Sequence, residues 1–278
     1  MPTGSGSSPA LCSTGRSPTG PGVIGEPPDP ENALAVLRYA VALGVNFIDT
    51  AASYGPEINE QQIAQALHPY PEGLMIATKG GLHHERHGEW IRDGRPETLR
   101  TLCEASLRRL RVDRIDLYQL HSVDPNVSIE ESVGTLVDLQ REGKIRHIGL
   151  SNVDARQLAR ARQVAAIVSV QNRYNLVDRY SESVLEACER DGIAFLPWFP
   201  LGFGNLTRGG GRLADVAWSR GATQAQIALA WLLRRSPVML PIPGTSSLEH
   251  LEENVAAAAL ELTDAEFAEL SRAAGAVL

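Results

Sequence analysis

Four ionisable side chains of different type stand at or just beyond the ends of apolar runs in this chain. Asp49 closes Val45-Asn46-Phe47-Ile48-Asp49, and Tyr54 follows in the next segment, Thr50-Ala51-Ala52-Ser53-Tyr54-Gly55. Lys79 ends Leu74-Met75-Ile76-Ala77-Thr78-Lys79, and His121 ends Ile115-Asp116-Leu117-Tyr118-Gln119-Leu120-His121. A carboxylate at the lip of one strand and a phenol in the loop after it can converge on one small volume, where an ammonium and an imidazole from other strand ends can join them. Such a set looks like a catalytic face for moving a proton, which needs groups of differing acidity within hydrogen-bond reach. Each residue alone has a plainer reading: an Asp as a turn or helix cap, a Lys in solvent, a His packed in the core. Their joint appearance at three strand ends carries the argument, because barrel active sites occupy the strand C-terminal face.

The elements that must position these groups read as repeated strand and helix units. Helical patterning covers about 30–43, 57–67, 96–110, 128–142, 154–163, 181–191, 212–220, 223–235, 247–258 and 263–274. Short apolar runs at 46–50, 74–79, 115–121, 145–150, 167–172, 194–199 and 238–242 lie between them. Runs such as Ile193-Ala194-Phe195-Leu196 are apolar on both faces, as in a parallel sheet covered by helices. The pattern predicts an α/β fold, a (β/α)8 TIM barrel over 21–278 as a single domain, with 1–20 an atypical N-terminal segment. Seven strands are clear; the first would have to come from residues 10–25, where Leu11-Cys12-Ser13-Thr14-Gly15-Arg16-Ser17-Pro18 is a poor strand by composition. The first strand and any N-terminal hairpin are therefore expected to be degenerate.

Length and composition agree with one large core. The chain has 278 residues, 43% of them hydrophobic, and a barrel typically takes about 250. Its net charge of -7 comes from 33 acidic and 26 basic residues spread without a basic cluster, which excludes nucleic acid as the expected partner. Cys12, Cys103 and Cys188 form no C-x-x-C pair, so they read as ordinary thiols of a reducing compartment. No run reaches the roughly 18 apolar residues of a membrane span, and Ala10-Leu11-Cys12 lacks the preceding apolar run of a secretory signal. The expected location is the cytoplasm; composition leaves the oligomeric state open.

Several motifs, in chain order, carry a family resemblance: F-I-D-T-A-x-x-Y-G, A-T-K-G, L-Y-Q-L-H, H-I-G-L-S-N, V-Q-N-x-Y-N, F-P-L-G and I-P-G-T-S-S followed by L-E-E-N. With this order and spacing the chain resembles the aldo-keto reductases over about residues 20–275, and the F-P-L-G and I-P-G-T-S-S variants look closest to the bacterial branch that includes pyridoxal-reducing enzymes. The resemblance implies an oxidoreductase that transfers a hydride from NADPH to the carbonyl of a small aldehyde or ketone. Elementary chemistry agrees: the carbonyl oxygen becomes negative as the hydride arrives and needs a proton. Tyr54 is the expected acid. A free tyrosine titrates near 10, so it needs a neighbouring cation that favours phenolate, and Lys79 supplies one. Asp49 would hold that ammonium charged, and His121 would orient the substrate oxygen, as the family's histidine does.

The chain has no G-x-G-x-x-G after its first strand, hence no Rossmann fingerprint; the family binds its nicotinamide dinucleotide across the barrel mouth. By resemblance, Ser151, Asn152 and Gln171 would bond the carboxamide, and Trp198, where the family commonly has Tyr, would stack on the nicotinamide ring; the plainer reading makes Trp198 and Phe199 core aromatics. Pro200, Leu201 and Gly202, with Phe203, Gly204 and Asn205, would line the pyrophosphate. Gly244, Thr245, Ser246 and Ser247, at a helix N-terminus with unpaired N–H groups, suit the ribose phosphate. Glu253 and Asn254 would meet the adenine end. Many relatives carry Lys or Arg near Gly244, Ser246, Ser247 or His250, and this chain has none there, so NADH is the alternative to NADPH.

Other features read more blandly. Gly209-Gly210-Gly211 lacks the Lys-Ser/Thr ending of a phosphate loop and reads as a connector. His83, His84, Glu85 and His87 lie in a segment without helical patterning, and no metal is expected. The loop at about 80–95 is expected to border the substrate pocket, with Trp90 as a wall. The short stretch after the last helix implies no long C-terminal loop over the pocket, leaving room for bulky carbonyls. Two rival functions follow from the same residues: a cofactor-binding regulatory protein with little turnover, given the weak first strand, and a barrel lyase using Lys79 for a Schiff base. Asp49 argues against the lyase by keeping Lys79 protonated.

Overall fold

The computed structural model describes residues 10–12, 29–55, 57–84, 90–202, 206 and 210–275. Seven strands form one sheet: β1 (Ala10–Cys12), β2 (Phe47–Asp49), β3 (Met75–Gly80), β6 (Ile115–Leu120), β7 (Ile145–Ser151), β8 (Ile167–Arg173) and β9 (Ala194–Trp198). They lie side by side in chain order, β1-β2-β3-β6-β7-β8-β9, and every pairing is parallel. Phe195 N donates to Val238 O, and Leu240 N to Phe195 O, both at 2.8 Å, which sets Met239 beside β9 at the eighth position of a (β/α)8 barrel.

Helices cover the outside: α1 (Pro30–Ala42), α2 (Ile58–Leu67), α3 (Pro96–Leu110), α4 (Ile129–Arg141), α5 (Ala155–Ala161), α6 (Glu182–Asp191), α7 (Arg212–Arg220), α8 (Gln224–Arg235), α9 (Leu248–Ala256) and α10 (Asp264–Gly275). Their starts follow from side chains that accept the free N–H groups of a first turn. Asp29 accepts from Asn32 N ahead of Pro30, while Asp154 with Gln157 and Thr223 with Gln226 form reciprocal capping boxes. Among the described residues no helix is long and apolar enough to cross a membrane.

Strand alternation divides the apolar side chains into two groups. Ile48, Ile76, Tyr118, Leu120, Ile148, Leu150, Val170 and Phe195 belong to a large buried cluster that also takes in the helix faces. Phe47, Ala77, Leu117, Leu196 and Ile242 form a second, smaller cluster inside the sheet's curl. Cys103 and Cys188 lie buried in the larger one, their thiols pushed up to about 12 by burial and so kept from the reactive thiolate.

The first strand lies in the stretch where the sequence placed it, Ala10–Cys12 pairing with Phe47–Asp49 through backbone bonds that need little of its composition. Two elements differ from the sequence reading. The expected strand at 238–242 narrows to a single bridge: Pro237, Pro241 and Pro243 have no N–H to give a ladder. The segment expected to be a loop contains an antiparallel hairpin, β4 (Leu82–His84) with β5 (Trp90–Arg92). Thr19–Pro28, Glu85, His87, Phe203–Asn205 and Gly209 lie outside the described residues.

Candidate active site

The parallel register brings the polar strand ends together. Asp49 is the last residue of β2, and Lys79 lies next to the end of β3, directly opposite Gln119 of β6. Gln119 in turn faces Gly149 of β7, and Ser151 at the end of β7 faces Gln171 of β8. Residues two apart on a strand share a face, so Gln119 and His121, or Ser169 and Gln171, look toward the same side.

At the centre is a buried ion pair. Lys79 Nζ donates to Asp49 Oδ2 at 2.6 Å and to the Thr50 carbonyl at 2.8 Å, with both charged side chains at 0% exposure. The same nitrogen is 3.5 Å from the Tyr54 hydroxyl and 4.8 Å from its ring centre. Tyr54 is half-buried, so its hydroxyl belongs to the boundary between this interior and the mouth. A buried charge needs a partner; here the carboxylate balances the ammonium, and the ammonium can stabilise negative charge on the phenol oxygen as a proton leaves. An amine held by a carboxylate, a carbonyl and a phenol is an ammonium rather than the free base a Schiff base requires.

His121 completes the group. Its ring meets the Tyr54 ring edge-on, with centroids 5.7 Å apart, and Nδ1 lies 3.4 Å from Ser53 Oγ. Burial first, and the Lys79 charge second, hold its pKa well below 6.5, so the ring is neutral near pH 7. A hydroxyl proton given by Ser53 to Nδ1 leaves the ring's own proton on Nε2, a donor suited to an oxygen. All four residues expected to act together are thus in one group.

A second set adjoins it. Asn152 has φ of 57°, a left-handed conformation that Asn tolerates better than most residues. Its Nδ2 donates to the His121 carbonyl at 3.0 Å and to Ser151 Oγ at 3.1 Å, and its Oδ1 accepts from Trp198 Nε1 at 3.0 Å. Gln171 donates from Nε2 to Asp49 Oδ1 at 2.9 Å. Hydrogen bonds therefore link Ser151, Asn152 and Trp198 to the His121 backbone, and a separate bond links Gln171 to Asp49. A hydroxyl, two amides and a half-buried indole are a donor set that fits the carboxamide and ring of a nicotinamide.

The remaining expected residues lie in separate groups. Pro200 and Gly202 are buried, Leu201 is half-buried, and Gly202 has φ of 59°. Ser247 caps α9 by accepting from His250 N, Thr245 Oγ1 accepts from Ser247 N, and the Ser246 carbonyl accepts from Asn32 of α1. Gly244 is exposed. Glu253 and Asn254 follow along α9, where the Glu253 carbonyl accepts from Gln226. Trp90 is 38% exposed on the hairpin, paired with His84.

Other participants escaped the sequence reading. Gln119 is fully buried and donates from Nε2 to Asp49 Oδ1 at 3.0 Å; its position two residues before His121 on one strand face was the available signal. Arg173, at the end of β8, pairs with Asp178 at 2.6 Å and lies 4.9 Å from the centre of the Phe199 ring. Behind β3, Glu60 of α2 is wholly buried, accepting from Thr78 Oγ1 and Arg109 Nε at 2.6 Å each. Thr78 is thereby tied to α2 and α3 on the face opposite Lys79, a tertiary contact that no motif encodes.

Comparison with known proteins identifies the family. The Aldo/keto reductase family profile matches residues 17–274. An uncharacterized oxidoreductase of Schizosaccharomyces pombe is 49% identical over 252 residues, 91% of this chain and 82% of that protein. Pyridoxine 4-dehydrogenase of Escherichia coli is 45% identical over 251 residues, 88% of this chain and 87% of its own length. Among solved structures, an aldo-keto reductase from Klebsiella pneumoniae in complex with NADPH superposes with a TM-score of 0.81 at 28% identity, covering 96% of this chain and 90% of that one. This chain belongs to the aldo/keto reductase family.

Proposed function

We propose that this protein reduces the carbonyl of a small aldehyde or ketone with NADPH, with Tyr54 as the general acid. The observation that carries the reading is the chain Asp49, Lys79, Tyr54: a carboxylate 2.6 Å from an ammonium that lies 3.5 Å from a phenol oxygen. NADPH supplies the hydride when bound. The residues of this chain do the rest. His121 donates from Nε2 to the substrate oxygen and orients it beside Tyr54, which gives its proton to that oxygen as negative charge grows there. Lys79 stabilises the phenolate left behind, and Asp49 keeps Lys79 charged. Ser151, Asn152 and Gln171 would hold the carboxamide, and Trp198 would pack on the nicotinamide ring.

NADPH is preferred over NADH because the Klebsiella pneumoniae protein of the same fold holds NADPH. In place of a basic side chain, the Ser246 and Ser247 hydroxyls and the first-turn N–H groups of α9 other than that of His250, which Ser247 caps, are the groups for a 2′-phosphate. Pyridoxal and other aromatic aldehydes are the substrates to try first, since the Escherichia coli relative is a pyridoxine 4-dehydrogenase. The test is titration with NADPH and NADH, then an aldehyde panel including pyridoxal followed at the nicotinamide absorbance band. Tyr54→Phe should bind NADPH as wild type does and lose ~100-fold or more in kcat, the usual share of a general acid. Reduction by that variant at the wild-type rate refutes the assignment.

A further inference from the structure

Asp49 holds more than a lysine. Its Oδ2 faces Lys79, while its Oδ1 accepts two amide bonds, from Gln119 Nε2 at 3.0 Å and from Gln171 Nε2 at 2.9 Å. All four side chains are at most 2% exposed. Gln171 is also a proposed partner of the nicotinamide carboxamide, whereas Gln119 stands on β6 beneath His121 and is committed to Asp49.

Two observations mark Gln119 as more than core filler. Its Oε1 is buried without a hydrogen-bond partner among the described residues. Turning the amide over would place that oxygen against a carboxylate oxygen at 3.0 Å, so the ionised Asp49 dictates the orientation at the expense of the amide's other end. Room for the side chain also comes from across the strand. A Cβ on Gly149, its register partner, would meet Gln119 Cγ at 2.9 Å and Ser169 Oγ at 2.3 Å.

We infer that Gln119 is a positioning residue for the proton-donating chain: its amide fixes the rotation of the Asp49 carboxylate so that Oδ2 stays on Lys79 when Gln171 turns to the cofactor. This inference rests on the proposed roles of Tyr54, Lys79 and Gln171. Among the described residues, titratable groups near Asp49 include Lys79 from β3, Tyr54 from the loop after β2 and His121 from the end of β6. His147 on β7 lies lower, opposite Leu117, while β8 and β9 present Gln171 and Leu196.

The experiment uses Gln119→Met and Gln119→Glu. In the methionine variant the carboxylate loses a donor, its hold on the ammonium loosens, and the phenol is less readily ionised. Reduction at neutral pH should then be ~10-fold slower in kcat, the usual scale for a hydrogen bond to a charged group. The alkaline limb of the kcat profile should move to higher pH, with the NADPH Kd within about twofold of wild type, so that kcat changes and binding does not. The glutamate variant keeps the shape. While protonated it can donate to Asp49, and once ionised it repels Asp49, so its rate should approach wild type at low pH and fall relative to wild type as pH rises.

A methionine variant with wild-type kcat and profile, or a glutamate variant slowed equally at every pH, overturns the inference. If the methionine variant does not fold, judged by circular dichroism and NADPH fluorescence, the glutamate profile decides alone. Tyr54→Phe separates the two levels: retained reduction in that variant removes the underlying reading, while lost reduction together with unaltered Gln119 variants removes only this inference.

Discussion

Lys79 Nζ lies 2.6 Å from Asp49 Oδ2, with neither side chain exposed to solvent. Two full charges withdrawn from water are tolerable only because each also has dipoles to satisfy it: the Thr50 carbonyl for the ammonium, and the Gln119 and Gln171 amides for the carboxylate. The pair is thus a polar centre within the barrel, with the Tyr54 hydroxyl 3.5 Å from its ammonium.

Asp49→Asn should therefore harm stability and rate together. The amide keeps one acceptor for the glutamines or for Lys79 but not both, and leaves a buried ammonium without its counter-charge. Removal of one member of such a pair costs about 3–5 kcal/mol. Urea unfolding should show a loss of that order, and reduction should slow even where the protein is folded. A variant with wild-type unfolding midpoint and rate would contradict the role of the pair.

His121 makes stability depend on pH. Its folded pKa is held well below 6.5 by burial and by Lys79, while in the unfolded chain it is about 6.5. Between those values the unfolded chain binds a proton that the folded chain does not. Unfolding free energy then rises with pH through that window, and the stability is lost as pH falls below about 6.5. Comparing unfolding at about pH 7.5 and about pH 5.5, the wild type should lose up to ~1.4 kcal/mol per pH unit more than His121→Gln. Equal losses in the two proteins would exclude a buried neutral imidazole.

Gly80 is small because Tyr118 stands over it. A Cβ there would lie 2.0 Å from the Tyr118 hydroxyl and 2.9 Å from the ring carbon bearing it, and Tyr118 is fully buried. Gly80→Ala should cost about 1–3 kcal/mol by overpacking. The Tyr118 hydroxyl has no hydrogen-bond partner among the described residues, so Tyr118→Phe alone should be close to neutral. In the double variant the nearest clash is gone and part of the loss should return. A double variant as unstable as the sum of the single changes would place the strain elsewhere.

Much of this molecule was legible in its residues. The helices over 96–110 and 212–220 have the limits read from periodicity, because apolar spacing, proline starts and glycine ends are local signals. The motif ends Asp49, Lys79 and His121, with Tyr54, lie together in the structure, since strand alternation fixes which side chains share a face. The bridge at Met239 and the hairpin carrying Trp90 were less legible, because ladder bonds depend on what a neighbouring strand offers.

What tertiary structure alone decided is who touches whom. Gln119 and Gln171 stand 70 and 122 residues from Asp49 in the chain, yet both donate to one of its oxygens. Glu60 meets Arg109 across 49 residues behind the same strand. Residue types and spacing determined which groups lie at the strand ends. The strand register and the curl of the sheet determined the distances, because a hydrogen bond exists only within a few tenths of an ångström, and that tolerance is set by the packed neighbours of each strand.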